Sequence, residues 1–144
     1  IIEEITPKAE PRSDKQTRSI LLVDDEDNIR NATQAVLTAE GFLIDSASDG
    51  KEALDLFKAN PIKYDLVVTD LSMPRMSGLE LTMEIRKSKF AGSILLSTGH
   101  LGIQEEKEYK DIGITAFIQK PWTAEELIDQ IHQLDHLNGP IKPR

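Results

Sequence analysis

Five short hydrophobic runs alternate along the chain with longer segments in which hydrophobic residues recur at helical spacing. Most of the short runs are hydrophobic at consecutive positions, which is typical of strands covered by helices on both faces. The alternation predicts an α/β fold in which βα units build a parallel sheet. The predicted strands are Ser19–Asp24, Phe42–Ala47, Tyr64–Asp70, Ser93–Thr98 and Ile114–Gln119.

Four of the intervening or following segments carry a hydrophobic stripe at helical spacing. The stripes are Ile29, Val36 and Leu37 in the first helix, Ala53, Leu56 and Phe57 in the second, and Leu127, Ile131 and Leu134 in the last. In the third, Leu79, Met83 and Arg86 continue the helical spacing less cleanly. A further segment, roughly Ile103 to Ile112, is nearly all polar. It predicts a surface helix that is lightly packed or mobile.

Local signals predict where two of these helices begin or end. Asn60-Pro61 ends the second helix, because proline cannot continue the hydrogen-bond ladder. The last helix opens with a capping-box pattern from Thr123 to Glu126 and stops at Asn138-Gly139-Pro140.

The two ends of the chain lack this periodicity. Residues 1–18 contain two prolines and equal numbers of acidic and basic side chains, which predicts a linker or leader. Residues 19–137 are predicted to form one domain, and residues 138–144 a short tail. Because the chain starts at Ile1 without methionine or a signal segment, we expect it to be an excised piece of a longer protein.

The 144 residues include 25 acidic and 17 basic side chains, for a net charge of −8. This charge argues against direct contact with nucleic acid or anionic lipid, since both require clustered Lys and Arg. The absence of cysteine excludes a disulfide framework, thiolate metal sites and a cysteine nucleophile. No run approaches the ~20 apolar residues of a membrane span. We expect a cytoplasmic domain without membrane contact of its own, in a parent protein that membrane segments elsewhere could anchor.

Polar side chains stand where four of the predicted strands end. Asp24 and Asp25 come at the end of the first strand, Asp70 ends the third, Thr98 ends the fourth and Lys120 follows the fifth. Ligands of an open parallel sheet bind at the carboxyl ends of its strands, so we expect these side chains to share one rim. Crowded carboxylates repel one another unless a proton, a cation or a salt bridge relieves them. The predicted ligands of a divalent ion, Mg²⁺ or Mn²⁺ in its place, are Asp24, Asp25 and Asp70.

Asp70 is also the best-placed phosphoryl-accepting nucleophile. It ends the central strand and is followed by a loop in which Pro74 and Gly78 set the backbone geometry. Lys120 would pair with an acyl phosphate as a point charge, and Thr98 would hydrogen-bond one of its oxygens.

The segments VDDE, VVTDLSMPRMSGLEL, LLSTG and FIQKPW occur in this order, and together they resemble the receiver domain of bacterial two-component response regulators. The resemblance covers about residues 19–137. It implies a doubly wound, flavodoxin-like (βα)5 fold whose five-stranded sheet has the order 2-1-3-4-5. It also implies phosphotransfer from a histidine kinase to Asp70.

The resemblance further implies how the metal is held. Mg²⁺ would be bound by Asp25 directly, by Asp24 largely through water, by Asp70, and by the backbone carbonyl of Ser72. Ser72 also occupies one of the positions where such domains vary the lifetime of the phosphoryl group.

Three other residues take roles from the resemblance. Thr98 and Phe117 match the family's switch pair, in which the hydroxyl moves toward the phosphoryl group and the aromatic ring turns inward. This change alters the surface made by the fourth helix, the fifth strand and the fifth helix. His100, two residues after Thr98, is a candidate for tuning hydrolysis of the phosphoryl group.

Each motif taken singly has another interpretation. Asp24 and Asp25 would suit a helix N-terminus. Asp70 would suit a Walker B strand, but the chain has no GxxxxGK[ST] segment. A haloacid-dehalogenase-type nucleophile is also open, but Ser72 stands where that family requires a second Asp. Trp122 suits packing or partner contact better than catalysis.

His132 and His136 lie four residues apart on the last predicted helix, a spacing able to bind a metal. No third ligand accompanies them in the sequence, so they are predicted to be solvated helix residues.

The predicted function is a Mg²⁺-dependent phosphoacceptor in a phosphorelay that later loses its phosphoryl group by hydrolysis, and thus a switch more than an enzyme. Its expected partners are a histidine kinase or phosphotransfer domain and an unidentified downstream protein. The alternatives are an interaction module whose site is silent and a Mg²⁺-dependent phosphatase. Residues 1–18 resemble the segment that precedes the C-terminal receiver of hybrid histidine kinases, and a stand-alone regulator is the other possible parent.

Overall fold

The computed structural model describes residues 17–138, with side chains described as far as Asp135. The predicted leader 1–18 and tail 138–144 therefore lie almost wholly outside the described residues. Within residues 17–138, strands and helices alternate. The strands are β1 (Ser19–Val23), β2 (Leu43–Ala47), β3 (Leu66–Asp70), β4 (Ser93–Thr98) and β5 (Ala116–Gln119), and the helices are α1 (Asp27–Ala39), α2 (Gly50–Ala59), α3 (Gly78–Lys87), α4 (Ile103–Ile112) and α5 (Ala124–Asn138).

The five strands form one parallel sheet in the order β2-β1-β3-β4-β5. The fold class and strand order that the resemblance implied are thereby confirmed. All carboxyl ends meet at the same edge of the sheet. The strand order reverses between β1 and β3, so a crevice opens at the ends of these two neighbours, where ligands bind in such folds.

Buried hydrophobic side chains form two clusters, one on each face of the sheet. Successive strand residues point to opposite faces. Leu21 and Val23 accordingly pack with residues of α2 and α3, whereas Ile20 and Leu22 pack with residues of α1 and α5. Every position of β1, β3 and β4 is buried, as their continuous hydrophobicity predicts. These three strands give the site a rigid base.

Four of the five predicted strands are longer than the observed ones. Phe42 donates its backbone N–H to the carbonyl of Leu37, and Ile114 does the same to Tyr109, so both residues complete the end of the preceding helix. Two other predicted strand residues lie just outside the observed strands, and their carboxylates accept backbone N–H groups. These residues are Asp24, at the end of β1, and Asp65, before β3.

The predicted stripe of α1 is wrong in two of its three positions. Leu37 is fully buried, but Ile29 and Val36 are 41% and 39% exposed. Thr33 is buried in their place. The helix is therefore rotated so that Ile29 and Val36 face a groove beside α5 and not the sheet.

The predicted stripe of α3 is only partly correct, since Leu79 packs, partly buried, against the core. The buried side chains are Leu81, Thr82 and Ile85, whereas Met83 is exposed. Arg86 is partly buried, and its guanidinium donates hydrogen bonds to backbone carbonyls of the connections that precede β4 and β5.

The remaining helix predictions are confirmed. In α2, Ala53 and Phe57 are buried, Leu56 packs partly buried against the same core, and the helix ends just before Asn60-Pro61. The stripe of α5, Leu127, Ile131 and Leu134, is buried. The capping box is present, since the backbone N–H of Glu126 donates to Thr123 Oγ1 and that of Thr123 to Glu126 Oε1.

Helix α4 has the predicted bounds and buries none of its side chains. It is held against the fold mainly through partly buried residues such as Tyr109. No helix within residues 17–138 is both long and apolar enough to cross a lipid bilayer.

Candidate functional site

The carboxyl edge of the sheet gathers the polar side chains that the sequence placed at strand ends. Asp70 ends β3 and pairs in register with Ser97 of β4, and Asp24 follows β1 on the other side of β3. Thr98 ends β4, and its carbonyl accepts the backbone N–H of Lys120. The neighbouring strands thus bring Asp24, Asp70, Thr98 and Lys120 to one rim, as predicted.

Three carboxylates form the centre of this rim. Asp24, Asp25 and Asp70 each offer an oxygen, and these oxygens lie within 4.8 Å of one another. Asp24 and Asp70 are buried, whereas Asp25 is exposed. Such an all-oxygen set, open to solvent on one side, suits a hard divalent cation that keeps part of its water shell.

Asp70 is short of polar partners for a buried carboxylate. Among the residues that the structure describes, its Oδ1 is the one buried side-chain nitrogen or oxygen without a hydrogen-bond partner. Lys120 Nζ lies 2.7 Å from this oxygen and forms an ion pair with it. Together with the crowding of the three carboxylates, this incomplete set of partners fits a site for a cation or for a transferred group.

Burial raises the pKa of Asp70 to about 7, with a further contribution from the charge of Asp24, although Lys120 acts in the opposite direction. Burial alone would lower the pKa of Lys120, but Asp70, Asp24 and Glu26 together raise it above its usual value. Lys120 therefore stays positively charged near neutral pH. Three carboxylates and one ammonium share the site, so an anion can bind at Asp70 only when the negative charge of the carboxylates is neutralised.

The loop after β1 is held by a residue that the sequence did not indicate. Arg30 of α1 donates a hydrogen bond to the carbonyl of Asp24 at 2.8 Å and another to the carboxylate of Asp27 at 2.8 Å. The carboxylate of Asp24 also accepts the backbone N–H of Glu26. The spacing of Asp27 and Arg30 on a helix could have suggested their ion pair, but not the contact with the carbonyl.

The loop after β3 returns close to Asp70. The backbone N–H of Gly78 donates to the carbonyl of Leu71 at 2.8 Å. A Cβ atom at Gly78 would collide with the carbonyl of Asp70, so only glycine allows this approach. Ser72 lies between these points and is exposed. The structure thus places Ser72 beside Asp70 in a tightly closed loop.

A small cavity of about 250 Å³ separates the predicted switch residues. Its lining includes Thr98, His100 and Phe117. The ring of Phe117 is partly buried and lies 6.5 Å from that of Tyr109, while the ammonium of Lys110 lies 6.0 Å from its centre. The cavity provides space beside Thr98 into which an aromatic side chain could turn. His100 is exposed at its mouth.

Trp122 connects this rim to the groove beside α1. Its indole N–H donates to the hydroxyl of Ser97 at 2.8 Å. The ring lines a mostly apolar groove of about 470 Å³ together with Ile29 and Val36 of α1, and the same groove reaches Asp24 and Lys120. Trp122 therefore has the packing role that was predicted, together with a hydrogen bond to β4 that was not.

The histidine pair of α5 gains no support as a metal site. His132 is exposed, and among the described side chains it joins no group of three potential metal ligands. The side chain of His136 lies outside the described residues.

The sequence model of the "Response regulator receiver domain" family matches residues 20–132. The response regulator MprA of Mycobacterium sp. (strain KMS) is 34% identical over 121 residues, which are 84% of this chain and 52% of that protein. The cell cycle response regulator CtrA of Brucella ovis is 32% identical over 115 residues, 80% of this chain and 49% of that protein.

Among solved structures, the Vibrio cholerae chemotaxis protein CheY4 superposes with a TM-score of 0.76 at 28% identity, covering 82% of this chain and 98% of that one. The chain spans about half the length of the curated relatives it matches.

Proposed function

The chain belongs to the response regulator receiver domain family, and from this we propose that Asp70 accepts a phosphoryl group from a phosphohistidine and that the domain thereby switches a protein-interaction surface. The observation that carries the proposal is the environment of Asp70. Its buried carboxylate lies beside Asp24 and Asp25 on one side and 2.7 Å from Lys120 on the other. This combination provides a nucleophile, a cation site and a fixed positive charge in one crevice.

An oxygen of the Asp70 carboxylate attacks phosphorus, the P–N bond of the phosphohistidine breaks, and its electron pair stays on the imidazole nitrogen. The product at Asp70 is an acyl phosphate. Lys120 stabilises the negative charge on the transferring group, since its ammonium is already directed at Asp70 Oδ1.

Mg²⁺, or Mn²⁺ in its place, would be held by Asp24, Asp25, Asp70 and the backbone carbonyl of Ser72, and when bound it would neutralise charge on the phosphoryl oxygens. The buried Oδ1 of Asp70 without a hydrogen bond and the mutual repulsion of the carboxylates support this assignment. Arg30 helps to hold the loop of Asp24 in place through its hydrogen bond to the Asp24 carbonyl.

Loss of the phosphoryl group by hydrolysis returns the Asp70 carboxylate and inorganic phosphate. The domain assists this reaction on itself and turns over no separate substrate, so we regard it as a switch. Ser72 and His100 are exposed at the rim, where they could restrict or assist an incoming water molecule. They are the proposed determinants of the phosphoryl lifetime.

Thr98 and Phe117 are the proposed switch. The hydroxyl of Thr98 would donate a hydrogen bond to the phosphoryl group, and the ring of Phe117 would occupy the cavity next to it. The open cavity and the light packing of α4 support this role, because both lower the cost of the movement. The surface of α4, β5 and α5 would then present a different shape to a downstream protein.

We also propose the partners and the setting. A histidine kinase or phosphotransfer domain would deliver the phosphoryl group over the apolar groove of Ile29, Val36 and Trp122, which leads directly to Asp24 and Lys120. The setting is cytoplasmic, without direct contact with nucleic acid or membrane. A hybrid histidine kinase is the proposed parent, and the encoded sequence upstream of Ile1 would distinguish it from a stand-alone regulator.

The test uses acetyl phosphate as the phosphodonor. The purified chain is incubated with and without Mg²⁺, and its intact mass is compared for the wild type and Asp70→Asn. We expect a single, hydrolytically labile phosphoryl adduct that requires Mg²⁺ and forms on the wild type alone. No adduct, and no response of Trp122 fluorescence to Mg²⁺ or beryllofluoride, would contradict the proposal and favour a silent interaction module. Multiple turnover of small phosphate esters would favour a phosphatase.

A further inference from the structure

An unusual backbone conformation occurs in the loop that follows Asp70. Arg75 has φ +69°, in the left-handed region that side chains other than glycine seldom adopt. The segment 72–77 lies between Leu71 and Gly78, whose backbone hydrogen bond closes the loop. Its conformation therefore depends on contacts that the segment makes with neighbouring elements.

Arg75 makes one such polar contact, in addition to the capping box that Ser77 forms with Glu80 of α3. Its Nε and Nη2 both donate to Asp49 Oδ2, at 2.9 and 2.6 Å. The side chain of Asp49 is only 10% exposed, and its other oxygen accepts the backbone N–H of Glu52 and so caps α2. The N-cap of α2 is thus shared between its own helix and the loop of the acidic site.

A close backbone contact reinforces this ion pair. A Cβ atom added at Gly50 would lie only 2.5 Å from the carbonyl oxygen of Met76. The side chain of Met76 also packs against this glycine. The loop therefore rests directly on the first residue of α2. The hydrogen bond from Glu52 and the ion pair with Arg75 also lower the pKa of Asp49, so its carboxylate is charged at neutral pH.

We propose that Arg75 is a positioning residue which, through Asp49, holds the loop 72–77 in the conformation that completes the cation site at Asp24, Asp25 and Asp70. The inference rests on the proposed function, because it concerns the same cation site. The mechanism is specific: a tether at the N-terminus of α2 restrains the loop that contains Ser72. Without the tether the left-handed residue would relax and the loop would sample other conformations.

Whether replacing Arg75 raises or lowers the affinity for a cation distinguishes a positioning role from a purely electrostatic one. Removing the positive charge of Arg75 should strengthen binding of a cation nearby if only long-range charge matters. A loss of positioning should weaken it. Because the Arg75 side chain is 63% exposed, the ion pair is partly screened, and we expect a decrease of about two- to five-fold in affinity.

The experiment measures Mn²⁺ affinity from the concentration of free Mn²⁺ by electron paramagnetic resonance. Arg75→Ala is compared with Lys51→Ala, which removes the same charge from an exposed ion pair with Asp55 on α2. Asp49→Asn is compared with Asp55→Asn, since asparagine still caps a helix but cannot form the ion pair. Circular dichroism checks that each variant is folded, and urea unfolding measures its stability.

We expect Arg75→Ala and Asp49→Asn to bind Mn²⁺ more weakly than their controls, and the double variant to bind no more weakly than the worse single variant. Affinity for Arg75→Ala equal to or above that of Lys51→Ala would overturn the inference and leave the proposed function intact. Lower stability with unchanged affinity would also overturn it. Absence of Mn²⁺ binding by the wild type would overturn the cation site itself and the inference with it.

Discussion

The ammonium of Lys120 lies 2.7 Å from Oδ1 of Asp70, a buried oxygen with no regular hydrogen bond. Lys120 directly follows β5 and Asp70 ends β3, so β4 separates the strands that present them. Their contact spans three neighbouring strands at the edge of the sheet. It requires the sheet order β3-β4-β5 and cannot form in the unfolded chain.

Replacement of Lys120 is expected to affect chemistry more than folding. Lys120→Met removes the charge that would stabilise the transferring phosphoryl group. We expect the rate of adduct formation from acetyl phosphate to fall by about 10² or more, since this is the usual effect of removing one preorganised electrostatic contact. Time-resolved intact mass measures the rate. A rate within a factor of two of the wild type would assign Lys120 a purely structural role.

The raised pKa of Asp70 predicts how stability depends on pH in the absence of metal. Burial raises this pKa to about 7 in the folded state, whereas an unfolded carboxyl has a pKa of about 4. The folded state thus retains a proton that the unfolded chain has released, so stability decreases as pH rises from about 4 through 7. Asp70→Asn lacks this titration, and we expect it to melt about 3 °C or more above the wild type at pH 8.

Thermal melts at pH 5 and pH 8 in the presence of a chelator check this expectation. The difference between variant and wild type should grow with pH, because the general effect of net charge is nearly the same in both. Added Mg²⁺ should raise the melting temperature of the wild type at pH 8 more than that of Asp70→Asn. Parallel pH profiles would contradict the raised pKa.

The hydroxyl of Thr98 is expected to link phosphorylation to Phe117. Thr98→Val keeps the shape of the side chain but cannot donate a hydrogen bond. We expect this variant to form the adduct with less than a tenfold change in rate, roughly the effect of one hydrogen bond. Its Phe117 signals in NMR should respond little to beryllofluoride, in contrast to those of the wild type. Equal responses of the Phe117 signals in Thr98→Val and the wild type would show that the Thr98 hydroxyl is not part of the switch.

The bond from Trp122 to Ser97 predicts a stability effect that is independent of phosphorylation. Ser97→Ala leaves a partly buried indole N–H without its partner, which costs about 1 kcal/mol. Urea unfolding followed by circular dichroism measures this loss. The control is Trp122→Phe, which lacks the indole N–H. In this background, Ser97→Ala should lower the free energy of unfolding by less than it does in the wild type. Since Trp122 is the one tryptophan of the chain, its emission should also change in Ser97→Ala.

Much of the fold was predictable because its signals are local. Proline after Asn60 and the capping pattern at Thr123 act within one helical turn, and both predictions are confirmed. The site was predictable for a related reason. Strand ends can be read from hydrophobic runs, and parallel pairing brings them to the same edge.

What the sequence did not reveal depends on contacts between distant elements. Spacing alone makes Ile29 as good a core residue as Leu37, and only the packing of α1 against the sheet and α5 decides which is buried. The ion pair of Arg75 with Asp49 joins residues 26 positions apart. The hydrogen bond from Trp122 to Ser97 joins residues 25 positions apart. No local pattern encodes such pairs.

The absence of buried side chains in α4 has an evolutionary consequence. Substitutions on exposed helix positions usually change stability by less than about 0.5 kcal/mol. A duplicated copy of this gene could therefore exchange most of the α4 surface without losing its fold. The acidic crevice, which depends on β1 and β3, would be unaffected. Descendants of such a copy could acquire new downstream binding partners while keeping the same chemistry at the crevice.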